Sequence, residues 1–207
     1  MNDEAIHYLR SVDPVLERLI ASFGHLRIEP RRLPPFQSLI HAIAHQQLTG
    51  KVASTILKRF QALFGNGSFP DPGDILQLDA ARICSAGFSK AKASFILAVA
   101  EKAATGLLPE LSACGKMTDA QILERLMEIK GVGRWTAEMF LIFNLGRPDV
   151  LPVHDLGVRR GFQIAYRKRK LPEPRHLEKV GRQWHPYRTT AALYLYRAAD
   201  QLKEGEW

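Results

Sequence analysis

The chain has 207 residues, 46% of them hydrophobic, a net charge of +8 and two cysteines. That is apolar material for one domain or two intimately packed small ones, and no apolar run reaches 18 residues, so a membrane-spanning helix is excluded. Cys84 and Cys114 are too few for a disulfide framework or a four-cysteine metal site, and the basic surplus favours a polyanionic partner.

The first residues, MNDEAIHYLR, lack the apolar stretch of a secretory leader, so an intracellular protein is expected. Asp13 to Phe23 reads as the first helix, with Val15, Leu16, Leu19, Ile20 and Phe23 in one stripe and Pro14 in the first turn, where proline is tolerated. GHLRIEPRRLPP then connects to a second helix, Pro35 to about Gln47, whose apolar face is Phe36, Leu39, Ile40, Ile43 and Ala44. A third helix starts near Lys51 with Val52, Ile56, Phe60 and Leu63. The polar junction His45 to Gly50 reads, on its own, as a surface turn. Neither His41 nor His45 stands at metal-ligand spacing with a partner.

Gly65 to Gly73 is a loop, and Asp74 is placed to cap a short helix bearing Ile75, Leu76 and Leu78. Asp79 to Ser85 is another short helix, and Ser89 is an N-cap for a longer one from Lys90 to about Thr105. GLLPELSACGKM is a connector.

The stretch after it is the most informative. Ile122, Leu123, Leu126 and Ile129 recur at helical spacing, predicting a helix from Asp119 to Lys130. Gly131-Val132-Gly133 interrupts the pattern, which Trp135, Met139, Phe140 and Phe143 resume. Two glycines let the backbone turn sharply, and the N–H groups at the start of the following helix suit a phosphate. The tripeptide alone fits an ordinary helix–helix connection equally well. Asp155 follows 22 residues after Gly133 (155 − 133), behind Pro152, and Asp155 to Tyr166 reads as a helix. The run Arg167-Lys168-Arg169-Lys170 is expected to be a solvated face. Part of a short helix at Glu178 to Arg182, a turn at Trp184 to Arg188 and a final helix from Thr189 to Leu202 complete the chain.

Taken together, IKGVGRWTA, LPVHDLGVRR, HAIAHQQLTGKVAS and WHPYRTTAALYLY resemble the helix-hairpin-helix (HhH-GPD) DNA glycosylase superfamily, and within it the alkylbase branch, the DNA-3-methyladenine glycosylase II type. The resemblance covers roughly residues 34–202. It implies an all-α fold of two helical lobes with a DNA-binding cleft, forming one integrated unit. One lobe would be residues 1–33 with 145–207, the other 34–144 with the helix-hairpin-helix at about 119–145. It implies a monofunctional glycosylase that hydrolyses the N-glycosidic bond of alkylated purines such as 3-methyladenine and 7-methylguanine in duplex DNA, the first step of base excision repair. The enzyme would be an intracellular monomer that needs no cofactor.

The resemblance also assigns roles. Asp155 is the expected catalytic carboxylate, stabilising an oxocarbenium-like sugar, although aspartate at this position also serves as a helix cap. Gly131, Val132 and Gly133 are the expected phosphate anchor through backbone N–H groups. Gln47, Leu48 and Thr49 are candidates for a wedge that fills the gap left by an extruded base. Trp135 and Tyr196 either line a base pocket or pack in the core. Lyase-type relatives carry a lysine where this chain has Trp135, so no Schiff-base chemistry is expected. The carbonyls of Met127, Ile129 and Val132 match the family's Na+ or K+ site, whereas no iron–sulfur cluster is expected. Gly87 and Lys90 are further candidates for a phosphate contact, or serve only as turn and solvated lysine. His154 stands where many relatives have a second aspartate, which leaves the lesion spectrum open. The alternatives are a non-catalytic helix-hairpin-helix DNA-binding module, for which Asp155 would be superfluous, and a glycosylase for another lesion class.

Overall fold

A computed structural model describes residues 3–26, 29–65 and 68–204, with side chains through residue 201. Arg27 and Ile28 of the first connector, Asn66 and Gly67 of the loop, and the extreme ends lie outside the described residues. The helices are α1 (Asp3–Val12), α2 (Pro14–Phe23), α3 (Pro35–His45), α4 (Gly50–Ala62), α5 (Pro72–Leu76), α6 (Ala80–Ser85), α7 (Lys90–Ala104), α8 (Leu111–Cys114), α9 (Asp119–Met127), α10 (Arg134–Met139), α11 (Leu156–Ala165), α12 (Pro174–Gly181) and α13 (Arg188–Glu204). A π turn, Phe140–Leu145, extends α10, and a 3-10 turn, Arg182–Trp184, follows α12. The fold is all-α: among the described residues there is no strand, and no helix is long and apolar enough to cross a membrane.

Two compact units emerge, residues 1–30 with 146–207 and residues 31–145. The first is built on α1, α2, α11, α12 and α13. Its core contains Leu9, Leu16, Phe162, Trp184, Tyr194 and Leu195, all fully buried. α11 and α13 approach so closely that a Cβ at Gly161 would lie 1.8 Å from the Leu195 carbonyl oxygen. A buried carboxylate ties this unit together. Asp13 Oδ1 accepts from the Val15 and Leu16 N–H groups at 2.9 and 3.3 Å, capping α2. Its Oδ2 accepts from Trp184 Nε1 at 2.9 Å, Gln183 Nε2 at 3.0 Å and the Tyr166 hydroxyl. Burial and this bond to Asp13 push the Tyr166 phenol well above its ordinary pKa. Asp13 is thus more than the first residue of a helix: it links α2 to the end of α11 and to the 3-10 turn.

The second unit packs α3 against α4, α7, α10 and the π turn. Leu39, Ile40, Ile43, Phe60, Ile96 and Leu126 are fully buried in it. Its first and last residues run together. The Arg31 and Arg32 N–H groups donate to the Phe143 and Asn144 carbonyls at 2.9 and 3.2 Å. The Asn144 side chain brackets Leu33, accepting from its N–H and donating to its C=O, each at 3.0 Å.

Three local expectations are revised. The α5 cap is Asp71, not Asp74; Asp74 sits in the first turn and reaches back to accept from the Asp71 N–H at 3.3 Å. α9 ends at Met127 instead of Lys130, and α3 ends at His45 instead of Gln47, because each chain turns there. Helices α1 and α8 were not anticipated: Ala5, Ile6 and Leu9 give α1 a narrow stripe, and α8 is one turn long.

Candidate active site

In the first unit, Asp155 is the N-cap of α11. Its Oδ1 accepts from the Val158 N–H at 2.9 Å, and the residue is 9% exposed. Capping and a site role are compatible, since the cap holds the carboxylate in one place. A Cβ on Gly157 would stand 3.0 Å from Asp155 Oδ1 and 3.0 Å from Tyr196 Cδ1 and Cε1. The carboxylate and the half-buried phenol ring therefore both pack close against the same bare backbone, where a side chain would crowd them. The neighbouring His154 is exposed.

A clamp on the preceding loop sets where Asp155 stands. Asp149 accepts from Arg188 Nε and Nη2, each at 2.6 Å, and from His185 Nδ1 at 2.7 Å. Burial works against the Asp149 charge, but the Arg188 and His185 bonds outweigh it and hold its carboxyl below the usual range. Thr189 Oγ1 donates to the Arg147 carbonyl at 2.7 Å and accepts from the Val150 N–H at 2.9 Å. Further along, the Asp155 N–H donates to the Pro152 carbonyl at 3.0 Å. The loop between Gly146 and Asp155 is thus fixed to the start of α13. The WHPYRTT run carried this information, but its partner Asp149 lies 39 positions away (188 − 149).

The second unit holds the hairpin. Gly131 has φ +86°, and a Cβ there would lie 2.0 Å from Phe95 Cγ, so glycine is required twice over. Gly133 differs: its φ is −83°, it caps α10 in extended conformation, and a Cβ would meet nothing within 4 Å. Of the two glycines expected to make the sharp turn, Gly131 alone takes a positive φ. Of the three expected donors, the Val132 N–H is already engaged: it donates to the Ile129 carbonyl at 2.9 Å, and Val132 is buried.

The candidate wedge residues Gln47, Leu48 and Thr49 are all exposed, in a turn where Gln47 adopts φ +58°. Leu48 is 39% exposed. Gln46, not picked out from the sequence, joins this turn to the hairpin: its Nε2 donates to the Gly131 carbonyl at 3.2 Å and to Thr136 Oγ1 at 2.9 Å. Lys92 Nζ supports the turn by donating to the Ala44 and Gln46 carbonyls at 3.0 and 2.8 Å. Burial lowers the Lys92 pKa. Trp135 is half-buried on α10, in this unit, whereas Tyr196 belongs to the other. Gly87, with φ +110°, and Lys90 are exposed beside the start of α7.

The family described as HhH-GPD superfamily base excision DNA repair protein matches residues 40–186. DNA-3-methyladenine glycosylase 1 of Schizosaccharomyces pombe is 37% identical over 196 residues, 93% of this chain and 85% of that protein. Alkylbase DNA glycosidase-like protein mag2 of the same yeast is 32% identical over 201 residues, 96% and 94% of the two chains. Among solved structures, the S. pombe 3-methyladenine DNA glycosylase in complex with abasic DNA superposes with a TM-score of 0.89 at 36% identity, covering 94% of this chain and 95% of that one. A DNA-3-methyladenine glycosidase from Bacillus halodurans gives 0.81 at 35% identity, covering 97% and 91%. With a family match over most of its length and a 37% identical relative covering 93% of it, this chain belongs to the HhH-GPD superfamily of base excision DNA repair proteins.

Proposed function

We propose that the chain is a monofunctional DNA glycosylase, acting as a monomer, that hydrolyses the N-glycosidic bond of alkylated purines in duplex DNA, with 3-methyladenine and 7-methylguanine as substrates. The observation that carries this is Asp155, held on the α11 cap at 9% exposure beside Tyr196. The relatives named as 3-methyladenine glycosylases support the substrate class.

A base stacked in a duplex is out of reach, so the nucleotide must leave the stack. Leu48, flanked by Gln47 and Thr49, would fill the gap, while the Gly131 and Gly133 N–H groups hold a backbone phosphate without reading sequence. The C1′–N bond then breaks, and the base leaves with its electron pair, neutralising the positive charge that alkylation gave it. Asp155 stabilises the cationic sugar and receives the proton of the water that attacks C1′. The faces of Trp135 and Tyr196 suit a cationic base. Trp135 stands where a lyase would need an amine, so water is the final nucleophile. The carbonyls of Met127, Ile129 and Val132 lie at and just beyond the end of α9, where acceptors outnumber donors. Ile129 O, although it already takes one N–H, keeps a second lone pair, so the set fits Na+ or K+. Such an ion would add positive charge for a phosphate at the hairpin.

The test is base release from methylated duplex DNA by wild type and Asp155→Asn in parallel, with and without alkali. Release of 3-methyladenine by wild type alone, with strand breaks only after alkali, is the expected result. Duplex binding with no release by either protein would instead favour a binding module or another lesion.

A further inference from the structure

The second unit contains a basic pocket that none of the steps above uses. A cavity of ≈ 340 Å³ is lined by Arg31, His41 and His45, and by Ser54, Leu57, Lys58 and Gln61 from one face of α4. No carboxylate lines it, and neither Arg31 nor Lys58 forms an ion pair among the described residues. Cations gathered without a counter-charge repel one another, and an anion relieves that repulsion.

The two imidazoles fit the same demand. His45 Nδ1 donates to the His41 carbonyl at 2.8 Å, so the ring is held by one nitrogen and its other, Nε2, is not used in that bond. His41 stacks on Phe69, with ring centroids 5.6 Å apart, and its Nε2 is a buried atom with no hydrogen-bond partner in the protein. Burial, then the charges of Arg31 and His45, pull the His41 pKa down to about 4. Ser54 and Gln61 add neutral hydrogen-bonding groups. The Arg31 backbone is fixed by its bond to Phe143, and His45 directly precedes the turn that carries the wedge candidates.

We propose that Arg31, His41, His45 and Lys58 form a binding pocket for a phosphate group, beside the wedge turn. If the phosphate belongs to the DNA backbone, the pocket rests on the reading of duplex DNA as substrate and is a second anchor, separate from the hairpin. A free phosphate or a nucleotide offers the same chemistry.

Two measurements on the full chain test this. Inorganic phosphate is titrated while the C2 protons of His41 and His45 are followed by NMR, in wild type, Arg31→Ala and Lys58→Ala. Affinity for an undamaged duplex is measured against salt in the same proteins, with thermal melts confirming that the variants fold. Phosphate should shift both imidazoles and raise their pKa values, less so in either variant. Each variant should also lower the slope of log affinity against log salt by about 1. Imidazole shifts with unchanged salt slopes would support the pocket but assign it to free phosphate or a nucleotide. Imidazoles that ignore phosphate, with slopes also unchanged, would overturn the proposal. Base release by wild type is scored on the same samples, so failure of the glycosylase reading is visible separately from the imidazole response.

Discussion

The two units build their candidate sites from different materials. Around Asp155, side chains matter: a carboxylate on a cap, a phenol ring beside it, and an Asp149–Arg188 pair fixing the loop that leads there. In the hairpin, backbone matters: N–H groups and carbonyls presented by a turn that Gly131 makes possible. A side-chain site fails when its reacting group is changed. A backbone site fails when its turn can no longer form, whatever side chains surround it.

The largest expected effect separates the two. Asp155→Asn keeps an oxygen for the Val158 N–H, so α11 should stay capped and duplex affinity should hold. Base release should fall by about 10²–10³-fold, read in single turnover. Equal loss of binding and excision would undo the assignment. In the hairpin, Gly131→Ala faces both a left-handed backbone and the Phe95 ring, and should destabilise by about 2–4 kcal/mol in chemical denaturation. Gly133→Ala should cost within about 1 kcal/mol. If the two alanines cost the same, the account of the turn is wrong.

Asp149→Asn sharpens the role of the clamp. Losing the charged pair should cost about 1–3 kcal/mol near neutrality. Because the folded-state pKa of Asp149 is depressed, its stabilisation is present above the ordinary carboxylate pKa and is lost as pH falls through the folded value. The stability gap between wild type and variant should therefore close in acid, as melts from pH 7 to pH 3 would show. The smallest effect expected on chemistry is that of Trp135→Ala. Removing one aromatic face should slow release of a cationic base by about tenfold and affect undamaged-duplex binding less, as paired kinetic and binding assays would reveal. Equal losses would point to destabilisation alone.

What the sequence disclosed follows the same division. The stripes of α2, α3 and α4, and the Ser89 cap, were legible because each is a local pattern of side chains. Asp155 and the glycine hairpin were found through spacing and family likeness. The interior knot at Asp13 was not, since its Trp184 partner lies 171 positions away. Nor was the difference between Gly131 and Gly133, because two identical letters stand in opposite regions of φ. Gln46 and Lys92 were missed for a related reason: they act on carbonyls, which the sequence does not distinguish from one residue to the next.

The paired ends of the second unit have a consequence for how the protein can be taken apart. Arg31, Arg32 and Leu33 are bonded to Phe143 and Asn144, so the segment from Arg31 to Leu145 departs and returns at a single stem. The ends of the other unit also lie close together: a Cβ on Gly146 would be 2.4 Å from Pro30 Cγ. In topology the hairpin-bearing unit is an insertion. A short linker in its place would close the remaining chain with little loop entropy, and the excised segment would begin and end at neighbouring points.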